Sequence, residues 1–153
     1  MDNSKRKNEQ WYINTEITYA FGSGKVTGSY GDATAKAHAD TLFTAQDETD
    51  GLGTEGEVKD RGLKYNLIRT VKKQAAQILQ DTDWYITRKA DAGTAVPSSI
   101  TNHRAAVRTK AAEMETSITN ASDTPALQTL YTYTEQEDGS VTRPLGELPT
   151  LES

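Results

Sequence analysis

Four groups of residues in this chain are of types that could do chemistry, and spacing decides what each can do. Gly22-Ser23-Gly24-Lys25 offers the small residues and the lysine of a phosphate-cradling loop. That loop needs a glycine five positions before its Gly-Lys pair and a hydroxyl residue directly after it. Tyr19 and Val26 stand there instead, so a hairpin turn is expected. Gln46 to Glu57 partly overlays a twelve-residue calcium loop, with Asp50 and Gly51 at the fifth and sixth places and Glu57 at the twelfth. Its first place holds Gln46 rather than Asp, its third the longer Glu48, and its eighth Gly53 where an apolar residue belongs, which points to a solvated acidic loop. His38 and His103 stand 65 positions apart on separate expected helices, without the close partner of a zinc-binding helix. There is no cysteine, hence no disulfide, thiolate ligand or thiol nucleophile. Hydroxyls and carboxylates are plentiful, but nothing local selects a nucleophile or a pair of acids. The expectation is a protein with no catalytic residue, no metal and no cofactor.

The fourth group is of another kind. Trp84, Tyr85 and Arg88 lie close together in sequence, and Arg104 and Arg108 stand one helical turn apart on one side of a later helix. A fold-back at Gly93 to Pro97 would carry both arginines toward Trp84 and the acids Asp81 and Asp83. Two readings stay open. One is a cation–π and salt-bridge staple that closes a helical hairpin. The other is a Trp/Tyr/Arg hot spot for another protein. In the first, Trp84 is packed and Trp84→Ala costs about 3–5 kcal/mol. In the second, assembly is lost with little loss of stability.

The elements that must position this group follow from periodicity. Residues 1–10 are charged and polar and read as a flexible arm. Trp11 to Phe21 alternates at period two, Gly22-Ser23-Gly24 supplies a turn, and Lys25 to Tyr30 can return, giving a β-hairpin. Asp32 can cap a weak, alanine-rich helix over Ala33 to Gln46, followed by the acidic, glycine-rich loop Asp47 to Glu57. A longer helix is expected from about Val58 to Asp81, with Leu63, Leu67, Val71, Ala75 and Ile78 on one stripe and Ile68 and Leu79 widening it. A short helix over Trp84 to Ala92 stops at Gly93. Pro97 opens the last long helix, to about Ala121, where Ile100, Val107, Ala111, Met114, Ile118 and Ala121 follow heptad spacing. The two long helices, about 58–81 and 97–121, should form an antiparallel hairpin. Beyond it, 124–153 reads as a short helical turn, a strand pair returning through Gly139, and an extended tail. The fold class is α+β, mainly α, with 58–123 as the docking domain.

Composition narrows the partners. The 153-residue chain is 35% apolar, with a mean hydropathy of −0.71, low for a domain that buries its whole core alone. It is expected to complete its buried surface as a homo-oligomer or within a larger assembly. The net charge of −5 lacks the clustered cationic face that nucleic acid requires. No apolar run reaches the roughly 18 residues of a membrane span, and MDNSKRKNEQ has no signal-like apolar core, so a soluble protein made in a cytoplasm is expected.

One stretch resembles a known family. Ile78-Leu79-Gln80-Asp81-Thr82-Asp83-Trp84-Tyr85, then Gly93-Thr94-Ala95-Val96-Pro97, then His103-Arg104-Ala105-Ala106-Val107-Arg108 is similar to bacteriophage tail assembly chaperones and tail-fibre-associated proteins. It departs by carrying His103 for a tyrosine and Val107 for a leucine, and it covers about residues 64–121. The resemblance implies a structural, non-enzymatic part of a phage tail, at the fibre attachment or baseplate, with other tail or fibre proteins as partners and the virion as its destination. The alternative is a transient assembly chaperone that leaves before the particle is complete. An envelope hydrolase has no motif to support it.

Overall fold

The computed structural model describes residues 1–151 and falls into two compact units: Met1–Leu63 with Asp123–Gln128, and Lys64–Ser122 with the described residues from Thr129 on. No described helix is long and apolar enough to cross a membrane.

The first unit is built from short strands: β1 (Tyr12–Ile13), β2 (Ile17–Gly22), β3 (Lys25–Tyr30), β4 (Thr34–Ala35), β5 (Thr41–Leu42), then a helix α1 (Ala45–Thr49) and β6 (Val58–Asp60). They pair antiparallel, β1 with β4, β2 with β3 and β5 with β6. The expected hairpin is present as β2–β3, in an unbroken register from Ile17↔Tyr30 to Gly22↔Lys25. Ser23 and Gly24 form its two-residue turn, both at positive φ (51° and 75°), the backbone that matches strand twist. Its first strand is shorter than the alternation from Trp11 implies. Between β1 and β2 the chain is not in strand, and there the Asn14 side chain hydrogen-bonds both backbone groups of Lys7, at 2.8 and 2.9 Å. Residues 1–10, expected as a flexible arm, are tied down by this contact and by the Asp2 N–H, which donates to the Gly28 carbonyl at 2.8 Å.

The weak helix expected over Ala33 to Gln46 does not form. Thr34–Ala35 and Thr41–Leu42 lie in β4 and β5, and the helix begins only at Ala45. An alanine stripe offers too little buried area to offset the cost of nucleating a helix, whereas the strands satisfy backbone groups at once. The start signal is Thr44, whose hydroxyl accepts from the Asp47 N–H while the Asp47 carboxylate accepts from the Thr44 N–H, a capping box. Val58 to Asp60 is likewise strand rather than the start of the long helix. Gly62 forces that boundary: it is buried, donates to Asp40 at 2.8 Å, and lies so near Ala39 that a Cβ would overlap its carbonyl. The buried residues of this unit include Trp11, Tyr12, Thr124 and Leu127, and the Thr124 hydroxyl donates to the Lys36 carbonyl at 2.7 Å.

The second unit is the helical hairpin. It comprises α2 (Leu63–Gln80), α3 (Asp83–Ala92), α4 (Ser98–Asn120), the end of α5 (Thr124–Tyr131), and the strand pair β7 (Thr134–Glu135) and β8 (Val141–Thr142). Lys64 donates to the Thr119 carbonyl, Lys72 pairs with Glu115, and Arg104 donates to the Leu79 carbonyl, so α2 and α4 run antiparallel as the sequence implies. Val71 and Ala75 of α2 and Ile100, Val107, Ala111, Met114 and Ile118 of α4 form the buried seam. Gly93, at φ 68°, ends α3 with its N–H on the Lys89 carbonyl.

The segment after β8 is anchored rather than merely extended. Pro144 and Leu145 turn the chain so that the Gly146 N–H returns to the Arg143 carbonyl at 2.9 Å. Leu145 is buried, and its N–H donates to the Leu130 carbonyl. The Arg143 guanidinium makes two 2.8 Å contacts with the Glu147 carboxylate and lies 5.2 Å from the ring centres of Tyr131 and Tyr133.

Two outcomes are expected. Gly62→Ala should destabilise the first unit by about 1–3 kcal/mol, measured by denaturant unfolding, because its neighbour is backbone and cannot step aside. The Lys59 ammonium, with the Thr44 N–H and hydroxyl, holds the Asp47 carboxyl down from its ordinary 3.8 to about 2. A depressed acid stabilises the fold fully above its unfolded value and loses that contribution as pH falls through its folded one. The α1 amide signals should therefore hold down to pH about 4 and fade between about 4 and 2, and Asp47→Asn should abolish that acid transition.

Candidate docking site

The joint between α2 and α3 is built around Arg104. Its Nη1 donates to the Leu79 carbonyl and to the Thr82 hydroxyl oxygen, both at 2.7 Å, and lies 2.9 Å from Asp83 Oδ1. Leu79 is in the last turn of α2, where carbonyls have no partner within the helix and the dipole is negative. Asp83 opens α3, where a carboxylate is favoured. One cation thus serves the end of one helix and the start of the next. Arg104 is 8% exposed and Thr82 2%, and Thr82 donates its own hydroxyl hydrogen back to Leu79 at 3.0 Å.

Trp84 is not in this joint. It is 51% exposed, and α3 contains no buried residue. Its indole lies against the Tyr85 ring at 3.8 Å between centroids, and the Arg88 guanidinium covers both, 4.7 Å from Trp84 and 5.5 Å from Tyr85. The cation–π contact expected of Arg104 and Arg108 is therefore made by Arg88, from within the same helix. Arg108 is exposed and has no ion pair or hydrogen bond among the described residues. Of the five residues singled out, Trp84, Tyr85 and Arg88 come together on α3, Arg104 is buried in the joint with Thr82 and Asp83, and Arg108 stands apart. Asp83 reaches the joint, whereas no ion pair among the described residues involves Asp81.

Thr82 is the residue that the sequence did not mark; for Arg104 the expected salt bridge to Asp83 is present, whereas the cation–π contact with Trp84 is made by Arg88 instead. The signal for Arg104 was the heptad of α4: stepping from Ile100 to Val107 skips position 104, which the seam needs filled. A charged residue there must be paired, and the nearest acceptors are the end of α2 and Asp83.

Two of the cavities in this unit reach Ile78, near the end of α2. One, of about 310 Å³, is lined by Gln74, Gln77, Ile78, Met114, Arg143, Glu147 and Leu148. The other, of about 260 Å³, is lined by Ile78, Asp81, Thr82, His103, Thr150 and Leu151. The second holds two threonine hydroxyls, an imidazole and a carboxylate; the Thr82 hydroxyl hydrogen is committed to Leu79, so that residue is not poised as a nucleophile. In the acidic stretch, Asp47 belongs to the α1 cap and its ion pair with Lys59 at 2.8 Å, and no group of three metal-ligating side chains is found among the described residues.

No family model, curated protein or solved structure matches this chain.

Removing Arg104 leaves the Leu79 carbonyl without its charged donor, while Asp83, 58% exposed at its side chain, stays hydrated. Arg104→Met should cost about 2–3 kcal/mol. Trp84→Ala, on the surface, should cost less than about 1 kcal/mol, not the loss of a packed joint. Parallel urea titrations of the two variants check both values.

Proposed function

We propose that this protein is a non-enzymatic docking component of a bacteriophage tail, at the fibre attachment or baseplate, and that α3 is the surface it presents. The observation that carries the docking reading is that α3 buries nothing of its own and yet is held at both ends. A ten-residue helix is marginal in water unless one face is packed. Here Arg104 fixes its start and Gly93 its end, and the side chains between them are free for another molecule. Trp, Tyr and Arg are the residues that dominate binding hot spots. Stacked as they are on α3, they lose little side-chain freedom when a partner covers them. The tail context rests on the resemblance of residues 64–121 to tail and fibre-associated proteins.

Quantitative mass spectrometry of purified particles is the test. The chain should be present in fixed proportion to other tail proteins, and the Trp84→Ala/Arg88→Ala variant should be lost from particles while its thermal midpoint is retained. Against an isolated partner, that variant should bind at least about thirtyfold more weakly. Absence of the wild-type chain from particles overturns the structural role. Absence together with misfolded fibres in a deletion strain assigns transient chaperone action instead.

A further inference from the structure

The β2–β3 hairpin carries a second surface, separate from α3. Because the Gly28 carbonyl accepts from Asp2, it points away from β2. In an antiparallel ladder a residue's N–H and C=O point to the same side, and directly opposed residues point toward or away from each other together. Tyr19 faces Gly28 in the register, so the backbone groups of Ile17, Tyr19 and Phe21 point outward from β2. Nothing among the described residues bonds to them. On the other edge, Asp2 already bridges β3 at Ser29.

Open edges are normally guarded by a charge, a proline, a bulge or a covering segment. β2, ITYAFG, has no charge and no proline, and its register is unbroken. Its outward residues are also its apolar ones: Tyr19 is 72% exposed and Phe21 77%, with Val26 of β3 beside them at 64%. They share one face, since Ile17 and Tyr19 both lie over Gly28.

We propose that β2 pairs with β2 of a second copy, antiparallel about a two-fold axis at Tyr19, giving the strand order β3-β2-β2-β3. Three features select another copy of this chain. The outward groups are self-complementary: Tyr19 meets Tyr19, Ile17 meets Phe21, and each pair exchanges two backbone hydrogen bonds. Ile17–Phe21 is a favourable β-branched–aromatic pair. The charges then match. In this register Glu16 stands opposite Gly22 of the second copy, and Gly22 stands opposite Lys25. With no side chain on the glycine between them, Glu16 and Lys25 of the second copy are about 10 Å apart at the backbone, within joint reach. The axis makes two such pairs. Within the chain, neither residue has a charged partner among the described residues.

Sedimentation equilibrium over a range of concentrations tests this. Wild type should show reversible dimerisation. Glu16→Lys or Lys25→Glu should weaken it about tenfold by setting like charges together, and the double charge swap should restore it. Tyr19→Lys places two cations on the axis and should leave only monomer, with far-UV circular dichroism unchanged in every variant. Trp84→Ala should dimerise as wild type, which separates this surface from α3. A concentration-independent monomer overturns the proposal, as does a dimer indifferent to Tyr19→Lys or single swaps that the double swap does not rescue.

Discussion

The helical unit depends on the placement of one cation. A carbonyl at the end of α2, the Thr82 hydroxyl and the Asp83 carboxylate converge on a single guanidinium nitrogen of Arg104. The Leu79 carbonyl and the Thr82 hydroxyl are costly to bury without a donor, Asp83 adds a counter-charge from the surface, and the arginine would be costly to bury without them. Their mutual satisfaction specifies where the chain leaves one helix and enters the next. Apolar packing could not do this alone, because the seam of α2 and α4 is assembled from Ala, Val, Ile and Met, which can exchange for one another with small penalties when volume is kept. A buried charge with one set of partners tolerates only one placement.

Polar anchoring recurs through the rest of the chain. Asp47 is held by Thr44 and Lys59, Gly62 by Asp40, Thr124 by Lys36, and the last turn by Arg143 with Glu147. This is how a chain only 35% apolar keeps its short strands and loops in place. Specific hydrogen bonds do work that a larger protein leaves to its core.

The helical half was legible in the sequence because its signals are periodic and local. The stripe from Leu63 to Ile78, the Gly93 stop and the Pro97 start are all found where they were expected. The first unit was less legible for a physical reason. Its strands are two or three residues long outside the hairpin, too short for alternation to register, and their partners lie far along the chain, as Tyr12 with Ala35 and Thr41 with Asp60. The alanines between them mimic a helix. Thr44 with Asp47 was the readable cue that the helix starts late. The surface group was half legible. Aromatic and arginine types marked α3, but type alone could not tell that Arg88 rather than Arg104 lies over the rings, since that depends on which arginine the heptad buries.

The absence of buried side chains on α3 has a consequence for sequence drift. Between Asp83 and Gly93 no position is tied to an interior, so substitutions there are filtered only by helix propensity and by whatever the helix touches. The segment is in effect an interchangeable cassette on a fixed mount. Related chains could keep Arg104, Thr82 and Asp83 while replacing the face between them, and so change partner without relearning how to fold.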